Sequence, residues 1–150
     1  MPSLTLSNSL GRTKDRVPVA TLIDEHFVIG VGGFTEGAGL SAITNDGERL
    51  KVTSDATDGY ATQSFTCTAS TKYSYRITLD AHNVVGNKTV MIGTSAGDDS
   101  LVSKIVASAK EVSKGSFTTG VSTTTIHLGL KHATSGRTCY WDDILIETYD

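Results

Sequence analysis

Several residue groups in the chain have types and spacing that chemistry could use. Gly93-Thr94-Ser95-Ala96-Gly97 has the GxSxG spacing that holds a nucleophilic serine on a sharp turn. Asp98 or Asp99 and then His127 or His132 follow in the acid-then-histidine order of a hydrolase triad. That chemistry needs a strand-turn-helix unit within a parallel sheet, and this chain offers one ambiguous helical stretch, from Ser100 to Val112. The plainer reading is a glycine-rich loop ending a strand, with no catalytic residue. Cys67 and Cys139 match no CxxC spacing, and four scattered histidines lack the interval that lets imidazoles converge on a metal.

A second group closes the chain. In Tyr140-Trp141-Asp142-Asp143-Ile144-Leu145-Ile146, strict alternation puts Tyr140, Asp142, Ile144 and Ile146 on one face. Trp141, Asp143 and Leu145 then point away from the core, toward the side expected for His127 and Arg76. An exposed tryptophan beside a leucine suits a subunit contact, packing under a loop, or a platform for a sugar ring. Phe34, Tyr60, Phe65, Tyr75 and Phe117 fall where core packing is expected.

These residues need a scaffold, and the composition says which kind. The 150 residues are 38% apolar and 19% charged, with 15 Gly against 2 Pro, a balance that suits one β-rich domain with glycine-rich turns. No apolar run approaches the ~18 residues of a membrane span. The first residues show neither the basic nor the apolar region of a secretion signal. Net charge is −3, divided as +2 over residues 1–16 and −5 over the rest, too little basic surface for nucleic acid. Residues 1–16, carrying Arg12, Lys14 and Arg16, read as an extended arm that contacts its own domain or a neighbour, and residues 17–150 as the folded domain.

Within that domain, turn signals such as Asn45-Asp46-Gly47 separate short alternating runs. The clearest is Tyr73 to Ala81, with Tyr73, Tyr75, Ile77 and Leu79 on one face and Ser74, Arg76, Thr78 and Asp80 on the other. Arg49 to Thr53, Lys88 to Ile92 and Thr125 to Leu130 repeat the pattern. Eight or nine such strands predict an all-β protein, an antiparallel two-sheet β-sandwich of jelly-roll type.

The order of signals resembles a family: jelly-roll domains similar to carbohydrate-binding modules, including those found in bacteriophage virion proteins. The residues that carry the resemblance are Gly33-Phe34-Thr35, Asp46 to Val52, Gly59-Tyr60-Ala61-Thr62-Gln63, Thr71 to Ala81, Ile92 to Gly97, Thr123 to Leu128 and Tyr140 to Ile144. In such modules the first Asp of a terminal pair often holds a structural calcium ion with a carboxylate near the first strand. The resemblance therefore implies Asp142 with Asp24 or Glu25 as calcium ligands, with no other cofactor required. It also implies a non-enzymatic particle-surface protein, a capsid decoration located on the virion. Such a protein would be anchored to other virion proteins or to copies of itself through the arm and the residues around Trp141 and Leu145. The competing expectation is a carbohydrate-binding module with a glycan partner, and a hydrolase stands third.

Overall fold

The computed structural model describes residues 20–55, 58–80, 87–106, 110–132 and 137–148, and it is built from strands. In chain order these are β1 (Thr21–Glu25), β2 (Thr35–Glu36), β3 (Leu40–Asn45), β4 (Leu50–Ser54), β5 (Gly59–Thr66) and β6 (Lys72–Asp80). They are followed by β7 (Lys88–Gly93), β8 (Val102–Val106), β9 (Lys110–Thr118), β10 (Thr125–His132) and β11 (Thr138–Thr148). The arm with Arg12, Lys14 and Arg16, and the boundary expected at residue 17, lie outside the described residues.

One sheet runs β3-β4-β11-β6-β9, with β1 also paired to β11; the other runs β2-β5-β10-β7-β8. All pairings are antiparallel. Apart from the β3–β4 and β7–β8 connections, each connection passes from one sheet to the other, so the chain wraps the sandwich as the jelly-roll expectation required. The stretch from Ser100 to Val112, ambiguous in sequence, supplies β8 and the start of β9. Asn45, Asp46 and Gly47 turn β3 into β4, with the Asp46 amide donating to the Arg49 carbonyl.

The core lies between the sheets, where strands such as β4 and β6 put every second side chain inward. Tyr73, Tyr75, Ile77 and Leu79 of β6 are buried, and so are Leu50 and Val52 of β4. Facing them are Val90 and Ile92 of β7 and Ile126, Leu128 and Leu130 of β10. Phe34, Tyr75 and Phe117 are core residues as expected, and Phe65 packs against the core half-buried.

Strand β11 departs from simple alternation, and the departure moves two expected site residues. Trp141 pairs with Leu79 and Asp142 with Thr78, but the next partners are Leu145 and Arg76, so β11 holds one residue more than β6 over this stretch. This is a β-bulge. Asp143 absorbs it with a φ of 45°, a left-handed conformation that Asp tolerates better than most side chains. The extra residue reverses the parity: Cys139 and Trp141 point inward before it, and Ile144 and Ile146 point inward after it. Trp141 is therefore fully buried instead of exposed, and Asp142 shares the outer face with Tyr140 instead of a core face with Ile144. The bulge falls where β11 exchanges β4 for β1 as its neighbour on one side.

Candidate functional site

Leu145 and Arg76 do form a cross-strand pair on the outer face of the six-stranded sheet. His127 lies on β10, in the other sheet, where it pairs with Ser64 and Gly93. The four residues grouped by alternation thus occupy three places: Trp141 in the core, Leu145 with Arg76 on one outer face, and His127 on the opposite one.

Each carboxylate expected at a calcium site engages a group of the protein. One oxygen of Glu25 accepts the Phe27 amide at 2.7 Å. Asp24 and Asp143 both contact His26, at 3.1 Å from Nε2 and 2.7 Å from Nδ1. Asp142 accepts the Asp143 amide at 2.8 Å. Among the described residues no group of three or more His, Cys, Asp or Glu side chains is placed to hold a metal ion. A carboxylate stands at each nitrogen of the His26 ring, an arrangement that suits the doubly donating, protonated form. The Asp143 hydrogen bond is the main reason the His26 pKa is raised above its ordinary value, with the Asp24 and Asp143 charges adding to it.

This cluster borders a cleft of about 480 Å³ lined by residues that include His26, Glu48, Arg49, Asp80, Asp142 and Asp143. Its polar groups are largely committed to one another. Asp80 lies 3.5 Å from both Arg49 and Lys110, and the Arg49 guanidinium sits 4.3 Å from the centre of the Tyr140 ring. The cation over Tyr140 occupies ring surface that a sugar would use.

A glycan site needs an outward aromatic ring flanked by groups that read hydroxyls. Among the described residues, Tyr60 and Tyr140 are the aromatic side chains that stand on the outer faces, both half-buried. Tyr60 lies on β5 in the five-stranded sheet, away from the Arg49 and Lys51 cations over Tyr140. It was expected in the core, and parity contradicts that: Ala61 and Phe65 point inward, so Tyr60, Thr62, Ser64 and Thr66 must point outward. The signal was in the sequence, since Tyr60 and Phe65 are five positions apart and cannot share a strand face.

The register surrounds Tyr60 with small and polar groups. Its cross-strand partner is Lys131, which lies 3.5 Å from Asp58; Thr62 is opposite Gly129, and Ser64 is opposite His127. Thr35 of β2 donates its hydroxyl to the Thr62 carbonyl at the sheet edge. Two glycines grip the ring: a Cβ on Gly37 would overlap its Cε2 edge, and one on Gly97 would come within 2.9 Å of its hydroxyl oxygen.

Gly97 belongs to the GxSxG segment. That segment leads from β7 into strand β8 and not into a helix, so it lacks the strand-turn-helix setting of a nucleophile elbow. Asp98, the first acid in the triad order, is used inside the loop, accepting from the Thr94 and Ser100 amides and hydroxyls. These bonds, the Ser100 hydroxyl first and the Thr94 amide next, hold its carboxyl down to a pKa of about 2.

No protein-family model and no curated protein matches the chain. Solved structures do. One is a family 4 carbohydrate-binding module, with a TM-score of 0.70 and 12% identity over 85% of this chain and 99% of that one. Another is the CBM22-1 xylan-binding domain from Paenibacillus barcinonensis Xyn10C, with a TM-score of 0.63 and 12% identity over 85% and 94% of the two chains. A family 29 carbohydrate-binding module complexed with cellulohexaose has a TM-score of 0.59 and 11% identity over 88% and 93%. At these identities the likeness is one of fold: the chain is a jelly-roll β-sandwich of the kind seen in carbohydrate-binding modules.

Proposed function

We propose that the chain is a non-enzymatic carbohydrate-binding module that takes a glycan on the outer face of its five-stranded sheet, around Tyr60. The observation that carries this reading is the match to a family 4 module over 99% of that module's length. On this face Tyr60 supplies the apolar surface for the C–H face of a pyranose. Lys131 lies opposite it, with Thr62 and then the Ser64–His127 pair further along the same face, to meet sugar hydroxyls. β-Linked glucans and xylans are the first ligands to test, because similar modules bind xylan or hold cellulohexaose.

The particle-surface reading named the arm, Trp141 and Leu145 as anchors, and the burial of the Trp141 ring removes one of these. The comparisons favour the glycan reading over it.

Titration calorimetry with cellohexaose and xylohexaose on the wild type and on Tyr60→Ala tests the proposal. Loss of the ring should weaken binding by about tenfold, the equivalent of roughly 1.4 kcal/mol. Undiminished binding by Tyr60→Ala would remove the glycan from this face.

A further inference from the structure

The loop between β7 and β8 is built to hold one shape. It starts at Gly93, where a Cβ would overlap both the carboxylate and the carbonyl of Asp98, so the loop folds down onto the strand end. The Leu101 amide donates to the Ile92 carbonyl at 2.9 Å and closes its base. Inside it, the Asp98 carboxylate receives the Thr94 amide at 2.7 Å and the Thr94 hydroxyl at 3.2 Å. It also receives the Ser100 amide at 3.1 Å and the Ser100 hydroxyl at 2.7 Å. The Asp98 amide donates to the Ser95 carbonyl at 3.1 Å. These side-chain bonds lie at the surface, outside the core, so their effect is on the shape of the loop.

That shape places Gly97 against Tyr60. Gly97 has a φ of 82°, a conformation suited to glycine, and its position leaves no room for a Cβ beside the tyrosine hydroxyl. Gly37 meets the ring at the other edge. The ring is therefore held on two sides by backbone, and one side depends on a loop that a single carboxylate organises.

We infer that Asp98 is a positioning residue of the glycan face: by fixing the β7–β8 loop it presses Gly97 against Tyr60 and sets the ring before a sugar arrives. The inference rests on the glycan reading of Tyr60. Asp98 does not touch the sugar; it removes the cost of ordering the ring and loop on binding, which corresponds to about three- to tenfold in affinity.

Two measurements on the full chain test it. In the free protein, NMR should show a contact between the Gly97 α-protons and the Tyr60 ring that Asp98→Ala abolishes. In calorimetry with cellohexaose and xylohexaose, Asp98→Ala should weaken binding about three- to tenfold and Asp98→Asn, which keeps one acceptor oxygen, should weaken it less. Because Asp98 acts through the ring, the Ala change should cost nothing further in a Tyr60→Ala background. A contact that survives Asp98→Ala, or an equal loss of affinity with and without Tyr60, would overturn the inference. Full affinity in Asp98→Ala, with wild-type binding intact, would overturn this inference alone. A wild type that binds no glycan, while the Gly97–Tyr60 contact still depends on Asp98, would overturn the proposed function and with it the binding role given to Asp98.

Discussion

Trp141 and Tyr60 exchange the places that sequence reading gives them, and each exchange predicts a different phenotype. Trp141 is fully buried, so Trp141→Ala should destabilise the fold by about 3–5 kcal/mol. That is a large part of a domain's usual margin, and denaturant melts would show it. Tyr60→Ala should leave the midpoint of such melts within a small shift and change ligand binding instead. Cys139 gives a third residue-level expectation. Burial pushes its thiol up to about 12, so a thiol reagent at neutral pH should leave it unmodified until the protein unfolds. Asp98 and His26 set opposite pH trends. The Asp98 carboxyl is depressed to about 2, so its contribution is fully present above the ordinary carboxylate value near 3.8 and is lost as pH falls through about 2. Asp98→Asn should flatten that acid limb. His26 has a raised pKa, so its link to Asp143 and Asp24 stabilises fully below the ordinary value of 6.5 and fades as pH rises through the folded-state value.

At the scale of elements, what was legible depended on whether alternation ran unbroken. In β6 nine residues alternate without interruption, and the buried face is the one the sequence indicates. β4 and the start of β10 behave the same way. In β11 one extra residue reverses every assignment on one side of it, and nothing in the side-chain pattern announces a bulge, since Asp142 and Asp143 are the same residue type. Trp141 and Asp142 were both misplaced by that single insertion. Tyr60 was misplaced for a different reason: its aromatic character outweighed a parity that Ala61 and Phe65 already fixed. The Asp98 brace is not legible because the GxSxG spacing marks Ser95, while the brace depends on how the loop brings Thr94 and Ser100 onto one carboxylate. The bulge makes a further prediction. Asp143 sits at φ 45°, where a β-branched side chain is strained, so Asp143→Val should destabilise by about 1–3 kcal/mol while Asp143→Asn is tolerated. Comparing the two melting curves checks it.

For the whole molecule, the sandwich and its wrapping connections followed from composition, turn spacing and strand periodicity together. The binding role did not, because this architecture supports many functions and only its sites decide among them. Two molecular expectations follow from the site geometry. With Asp24, Glu25 and Asp142 each engaged by a group of the protein, EDTA should leave the melting temperature unchanged; a drop of several degrees would place a stabilising metal in the fold. The proposed function places the glycan on Tyr60 and its surroundings on the five-stranded sheet. The most direct test is calorimetric titration of the full chain with cellohexaose and xylohexaose, alongside Tyr60→Ala and, on the opposite sheet, Arg76→Ala. Saturable binding by the wild type and Arg76→Ala, weakened about tenfold in Tyr60→Ala, is the predicted result. Binding that survives Tyr60→Ala, or that is lost with Arg76→Ala, would contradict it.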